Sequence, residues 1–236
     1  MLESPVAPTV SNVVRVLATI VFALALPTFL VTGALRQVAL GESFYLNEFA
    51  KYRVGAVTGL SQSELQQVAS AFTDYFQAPP DRMDRAEPLP DRQGPLFNDR
   101  ELTHMVDVQL LMQRIFGAWT IALIALIASA LLIVVSGTST GGLALARAGA
   151  IGGGLAVVII GVTALASLVD FSALFTQFHF LSFSNDLWML DPQRDHLIQL
   201  FPLGIFYDAA LRIAVQTVAV GGLVLALSIA ALRLLR

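Results

Sequence analysis

The sequence predicts an all-α membrane protein with four transmembrane helices and an extracytoplasmic cap domain formed by two outer loops. Three observations support this fold class. The chain of 236 residues is 56% hydrophobic and only 13% charged, whereas soluble domains carry about 25% charged residues. Four apolar segments each supply about 20 residues, the length that crosses a hydrocarbon core. Almost all acidic residues fall in two of the segments between them.

The four apolar segments divide the chain into seven predicted parts. The first apolar segment is longer than the apolar region of a signal peptide, and Pro27 predicts a kink in it. The parts are the N-terminus with the first span (1–35), an outer loop domain (36–114), a second span (115–135), a cytoplasmic loop (136–147), a third span (148–169), a second outer loop (170–212), and a fourth span with the C-terminus (213–236).

Small residues at four-residue spacing recur in the last two spans. Small side chains let membrane helices approach closely, so we expect a packed bundle rather than separate spans. The pairs are Gly149/Gly153 and Ala150/Gly154 in the third span and Thr217/Gly221 in the fourth.

The distribution of charge predicts the orientation. Of the 17 acidic residues, Glu3 is the only one outside the segments 36–114 and 170–212. Short cytoplasmic loops carry an excess of basic residues, while loops beyond about 60 residues are largely exempt from this rule. We therefore expect both termini in the cytoplasm and both acidic loops, with all three histidines, outside. The basic residues of the short segments are Arg15, Arg147, Arg233 and Arg236.

The first outer loop contains a predicted helix that begins at the capping-box pattern Ser61-Gln62-Ser63-Glu64. This helix should end before Pro79-Pro80, and the Pro-, Asp- and Arg-rich run from Ala78 to Pro95 is typical of an exposed connector. The apolar residues that repeat at helical spacing are Leu65, Val68, Ala69, Phe72 and Phe76.

A second helix start is predicted at Asn98, because Glu101 stands three residues later and can reach back to it. On such a helix Glu101, His104 and Asp107 lie broadly on one face. This polar face precedes the apolar run that begins at Ile115, a position where a membrane protein would place chemistry. As a hypothesis, either Glu101 or Asp107 orients His104.

The second outer loop combines aromatic residues, acids and His179. Asn185, Trp188 and Asp191 have two readings of similar weight. They can bind a lipid head group, or Trp188 can anchor at the membrane interface while Asp191-Pro192 forms a turn.

His104 and His179 are the candidate catalytic residues, although a histidine taken alone is more often structural or solvated. A metal site formed by these two with Glu101 or Asp107 is a further reading. The sequence holds no HExxH spacing, and we expect no metal. His196 lies in a polar run and is more typical of a surface residue.

The run Gly137-Thr138-Ser139-Thr140-Gly141 matches the GxSxG pattern of a hydrolase nucleophile. That pattern acts through a strained turn between a strand and a helix. Here it follows a membrane helix on the predicted cytoplasmic side, across the bilayer from every histidine. A flexible linker explains it better.

Composition excludes several function classes. The chain has no cysteine, which removes disulfides, thiolate catalysis and cysteine-bound metals. A net charge of −3 does not suggest a nucleic-acid partner.

At the two histidine-containing stretches, the sequence resembles the family of lipoprotein intramolecular transacylases (Lit), which are small bacterial membrane proteins. Chain length, four spans and the large first outer loop match as well, so the resemblance covers nearly the whole chain. The matching residues are Glu101, His104, Met105, Asp107 and Val108 in the first stretch, and Phe178, His179, Phe183, Asn185, Trp188, Leu190, Asp191-Pro192, Leu197-Ile198 and Phe201-Pro202 in the second.

The resemblance implies an acyl transfer within one diacylated bacterial lipoprotein. The sn-2 acyl chain of its S-diacylglyceryl cysteine moves to the α-amine of the same cysteine, giving a lyso-form lipoprotein. The resemblance carries the two essential histidines to His104 and His179. It places the protein in the bacterial cell membrane with its active site on the extracytoplasmic face and calls for no cofactor.

Elementary chemistry fits this reaction. An α-amine has a pKa of about 8, so it needs a base, and a histidine can take its proton and return it to the leaving oxygen. Arg100 or the other histidine can stabilise the oxyanion. Two alternatives remain from the residues alone: a non-enzymatic membrane protein that binds lipid or a partner through its outer domain, and a metal-dependent lipid hydrolase.

Overall fold

The computed structural model describes residues 10–79, 96–136 and 140–235. Most of the predicted connector and residues 137–139 of the GxSxG pattern lie outside the described residues. Within the described ranges the regular structure is helical. The helices are α1 (Val10–Ala39), α2 (Glu42–Lys51), α3 (Val54–Thr58), α4 (Gln62–Gln77), α5 (Asp99–Val135), α6 (Gly141–Ser182), α7 (His196–Leu200) and α8 (Leu203–Leu234).

The four predicted spans correspond to α1, α5, α6 and α8, which are long and apolar enough to cross a membrane. This confirms the all-helical class and the number of candidate spans. The helices extend beyond the predicted span limits: α5 has 37 residues and α6 has 42. Pro27 lies inside α1, which is continuous through it.

Helix α6 is interrupted at Asp170, whose backbone is extended (φ −154°, ψ 91°). The Asp170 Oδ1 atom accepts a hydrogen bond of 2.9 Å from the amide of Ala173. An aspartate that accepts from the third residue after it is an N-cap, so Asp170 restarts the helix for residues 171–182. His179 therefore lies on a helix rather than in an irregular loop.

The chain forms two compact units, the first comprising residues 1–33, 118–162 and 214–236. In this unit α6 and α8 approach closely at glycines. A Cβ atom added to Gly149 would lie 2.5 Å from Ser228 Oγ, and one added to Gly153 would lie 2.7 Å from the carbonyl oxygen of Gly221. The predicted close packing is confirmed at these positions. Gly154 has open space around it, so the second predicted pair does not contribute in the same way.

The second unit comprises residues 34–117 and 163–213 and has an aromatic core. Phe72 of α4 stands at the centre, with its ring centroid 4.7 Å from that of Phe201 and 6.4 Å from that of Phe97. The capping box at Ser61 and Glu64 is present. The predicted apolar face of α4 is buried, which confirms the reading of that helix.

The N-terminus of α5 is joined to that of α7 by the carboxylate of Glu101. Its Oε2 atom accepts from the amide of Asn98 at 2.8 Å, while the Asn98 side chain accepts from the amide of Glu101 at 3.1 Å. The predicted helix start is thus confirmed. The Oε1 atom accepts from the amide of Leu197 at 2.6 Å, so one carboxylate, only 1% exposed, satisfies orphan amides of two helices.

Asp195 strengthens the same junction. Its side chain is fully buried and accepts hydrogen bonds from Asn98 Nδ2, the amide of Asp191 and Arg194 Nε. Burial alone would raise the pKa of Asp195, but these donors hold that pKa below its usual range. The segment before α7 is therefore fixed to the beginning of α5.

We expect Glu101→Ala to destabilise the protein substantially, because it leaves the buried amide of Leu197 and the part-buried amide of Asn98 without their acceptor. Losing a hydrogen bond to a charged group costs about 1.5–3 kcal/mol. Glu64→Ala is the matched control: it removes the same element of a capping box from an exposed site and should cost about 1 kcal/mol or less. Thermal unfolding of the purified protein in detergent measures both, and equal losses would contradict the junction's role.

Candidate active site

A cavity of about 480 Å³ lies within the second unit. Its wall is almost entirely aliphatic and aromatic, with contributions from every helix of the unit except α3 and from the segment between α6 and α7. His104 and His179 are the two histidines in this wall. Small-molecule sites are typically apolar cavities with a few convergent polar groups, so this cavity is the candidate active site.

The two histidines come from different helices and meet at the cavity. His104 lies on α5 and His179 on the last turn of α6, and their ring centroids are 6.1 Å apart. Their exposed fractions are 6% and 7%. Two imidazoles at this separation can act on two atoms of one reacting group, and water has little access to either ring.

A backbone carbonyl sets the tautomer of His179. The Nδ1 atom lies 2.7 Å from the carbonyl oxygen of Phe175. Since a carbonyl oxygen can only accept, Nδ1 carries the hydrogen, and the lone pair of the neutral ring is then on Nε2. The ring is also held between the aromatic rings of Phe175 and Trp188, at centroid distances of 4.3 and 4.8 Å.

His104 is held differently. The edge of its ring faces Phe183, with centroids 5.2 Å apart. Its Nδ1 atom is buried and has no hydrogen-bond partner among the described residues. Buried polar atoms are rarely left unpaired, so this nitrogen can still accept a water molecule or a ligand group as its partner.

The two acids expected beside His104 have other partners in the structure. Glu101 accepts from backbone amides at the α5–α7 junction. Asp107 Oδ2 accepts from Asn185 Nδ2 at 2.8 Å. Among the described residues, neither carboxylate accepts a hydrogen bond from His104. Asp107 lies close enough to His104 to interact with it electrostatically.

The segment 183–192, which we call the strap, carries the remaining predicted residues. Arg100 of α5 donates to the carbonyl of Asp186 and lies 3.8 Å from its carboxylate. Trp188 Nε1 donates to the carbonyl of Asn185 at 3.0 Å, which fixes the indole against His179. Asp191 forms a turn, because its Oδ1 atom accepts from the amide of Gln193.

His196 is separate from the pair. Its Nδ1 atom lies 3.0 Å from Gln199 Oε1, and it does not line the cavity. Among the described residues there is also no group of three or more His, Cys, Asp or Glu side chains arranged to hold a metal ion.

Sequence reasoning missed Tyr75 of α4, which lines the cavity. Its hydroxyl is buried without a hydrogen-bond partner among the described residues. Burial and the nearby Asp107 carboxylate raise the pKa of Tyr75 to about 12, so the phenol keeps its proton. Helical periodicity identified the neighbouring Phe72 and Phe76 but gave no signal for Tyr75.

Comparison with known proteins connects this chain to one family. The family described as lipoprotein intramolecular transacylase Lit matches residues 20–206. No curated protein matches the chain significantly. The in meso structure of the membrane-integral lipoprotein intramolecular transacylase Lit from Bacillus cereus has a TM-score of 0.74 to this chain, with 19% identity over 93% of this chain and 96% of that one.

Two further structures of the Bacillus cereus protein, in which one histidine is replaced by arginine or by alanine, each give a TM-score of 0.69 at 19% identity. They cover 93% of this chain and 92% and 94% of their own chains. At this identity the likeness shows a shared fold. The family match spans most of this chain, and four of the chain's helices are apolar enough to cross a membrane. The chain therefore belongs to the lipoprotein intramolecular transacylase family and is a multi-pass membrane transacylase.

Proposed function

We propose that this transacylase moves the sn-2 acyl chain of a lipoprotein's S-diacylglyceryl cysteine to the α-amine of the same cysteine, using His104 and His179 for acid–base catalysis. The observation that carries this proposal is the buried histidine pair, 6.1 Å apart, in the wall of an apolar cavity. The cavity wall suits an acyl chain, since each buried methylene contributes about 0.8 kcal/mol.

In this mechanism His179 is the general base. Its Nε2 lone pair takes a proton as the neutral α-amine attacks the sn-2 ester carbonyl and the carbon–nitrogen bond forms. The tetrahedral intermediate then collapses, the bond from carbon to the glycerol oxygen breaks, and the imidazolium returns the proton to that oxygen. The products are an amide and a free hydroxyl, and the histidine is regenerated.

The developing oxyanion needs a donor beside the histidine pair. We assign this role to His104 because it lines the cavity beside His179; in this role one of its ring nitrogens donates its hydrogen to the oxyanion. Arg100 is the second candidate, because its buried Nε has no hydrogen-bond partner among the described residues and its charge acts on His104. Preorganised donors in a dry site stabilise such charge effectively.

A covalent acyl-enzyme is not required. Donor ester and acceptor amine belong to one molecule, and holding them in reactive geometry can contribute about 7–11 kcal/mol of the barrier. The cavity, by holding the acyl chain, fixes the ester near the histidines. The protein then supplies alignment and proton transfer, while the substrate supplies the nucleophile.

We further propose that both termini are cytoplasmic and that the histidine pair acts on the extracytoplasmic face. The support is the charge distribution: the acidic residues concentrate in 36–114 and 170–212, and the short segments carry arginine. Both histidines lie in the acidic parts of the chain. The two outer loops would then form a cap on the side of the membrane where lipoproteins are displayed.

The histidine roles are tested with a reporter lipoprotein expressed in a bacterium that lacks its own N-acylation. With the wild type, mass spectrometry of the N-terminal peptide should show unchanged total mass, one acyl chain on the α-amine and one on the glycerol. His104→Ala and His179→Ala should each slow this transfer by roughly 10²–10⁴-fold, the usual contribution of general acid–base catalysis.

His196→Ala is the matched control for this experiment, because its ring pairs with Gln199 outside the cavity. It should transfer the chain at the wild-type rate. Full transfer by either cavity variant would refute the assigned role of that histidine, and a reporter left unmodified by well-expressed wild type would refute the function.

The orientation is tested by cysteine labelling, which is clean because the chain has no cysteine of its own. We expect Ser184→Cys, at an exposed position of the strap, to react with a membrane-impermeant maleimide on intact spheroplasts. Thr140→Cys, also exposed, should react only after permeabilisation. The reverse pattern would overturn the orientation.

A further inference from the structure

Asp107 stands beside the histidine pair without belonging to the cavity wall. It is one helical turn from His104 on α5 and is partly exposed. Its negative charge acts on both His104 and Tyr75. This carboxylate therefore lies near enough to His104 and Tyr75 to interact with a polar group of a substrate bound there.

The present partner of Asp107 is a neutral amide. Asn185 Nδ2 donates to Oδ2 at 2.8 Å, and this is the one hydrogen bond to the carboxylate among the described residues. The other two acids near the site already accept several hydrogen bonds. Glu101 accepts from two backbone amides, and Asp195 accepts from Arg194 and two further donors. Within the described ranges Asp107 thus has one oxygen without a hydrogen bond and no ion pair with a basic side chain.

We propose that Asp107 is the recognition site for the positively charged α-ammonium group of the lipoprotein's N-terminal cysteine. This inference rests on the proposed function. With a pKa of about 8, the α-amine is mostly protonated at neutral pH, and a hydrogen bond between two charged groups is roughly twice as strong as one between neutral groups. The ammonium group can therefore replace the amide of Asn185 as the partner of Asp107.

Geometry makes this exchange useful. Asn185 is part of the strap, and the strap also carries the rings of Trp188 and Phe183 that cover His179 and His104. Both histidines are more than nine-tenths buried, so a shift of this cover would widen the access of the substrate's amino group to them. A group that competes for Asp107 releases the contact between the strap and α5 at Asn185.

The same recognition favours product release. The bound ammonium loses one proton to solvent to become the amine that attacks the ester. Transfer of the acyl chain then moves a second proton to the glycerol oxygen, and the nitrogen becomes a neutral amide. The amide offers Asp107 no positive charge, so the contact that selects the substrate is absent from the product.

Binding of non-reactive analogues tests this inference independently of catalysis. The probes are short peptides with an N-terminal S-(2,3-dialkoxypropyl) cysteine, whose ether links cannot transfer, carrying either a free or an acetylated α-amine. Full-length wild type in detergent at pH 7 should bind the free-amine probe about tenfold or more tightly, the effect of one charged hydrogen bond. Asp107→Asn should bind both probes with similar affinity.

The variants are chosen to separate charge recognition from structure. Asp107→Asn keeps an oxygen that can accept from Asn185, so the strap contact survives, and Asp107→Glu keeps the charge and should retain the preference for the free amine. Asp186→Asn removes one negative charge from an exposed position of the strap and should also retain it. With reactive substrate, Asp107→Asn should raise KM by about tenfold and change kcat little.

A persistent preference for the free amine in Asp107→Asn would overturn the inference, as would a wild type with no preference. These outcomes are distinct from failure of the proposed function. If the wild type modifies no reporter lipoprotein, the function fails while the ether probes still report on Asp107. If the wild type modifies the reporter and Asp107→Asn keeps its preference, only the Asp107 inference fails.

Discussion

The buried carboxylate of Glu101 is the interaction on which the site depends most directly. It accepts hydrogen bonds from the amides of Asn98 and Leu197 and thereby joins the first turns of α5 and α7. Because α-helices are stiff, this junction determines where His104 emerges one turn later. Breaking it would leave the buried amide of Leu197 and the part-buried amide of Asn98 unpaired. It would therefore lower the folding stability and let α5, with His104, shift relative to the strap.

The second determinant is the apolar wall of the cavity, in which both histidines are buried. In water a histidine exchanges tautomers and partners freely. Here the environment selects one tautomer of His179, and the described part of the chain supplies no hydrogen-bond partner for Nδ1 of His104. A buried nitrogen without a partner lowers the folding stability, and the packing of the surrounding aromatic core offsets this loss.

Several features were predictable because they depend on local physics. The four candidate spans follow from the length of the apolar runs, and the starts of α4 and α5 follow from capping pairs three residues apart. The continuation of α6 to Ser182 was not predicted. An aspartate after a long apolar run looks like the end of a span, whereas Asp170 in fact caps a new helical segment. The roles of Asp107 and Asn185 were also open, because their contact joins residues 78 positions apart.

The sequence by itself determined the class of protein, its four apolar helices, the beginnings of two helices and the residue types available for acid–base chemistry. These depend on composition and on neighbours within one or two helical turns. Only the tertiary structure decided that His104 and His179 share one cavity, that Glu101 serves backbone amides, and that Asp107 meets Asn185. Each of these depends on which long-range surfaces pack together, and that choice is made by the whole aromatic core rather than by any local pattern.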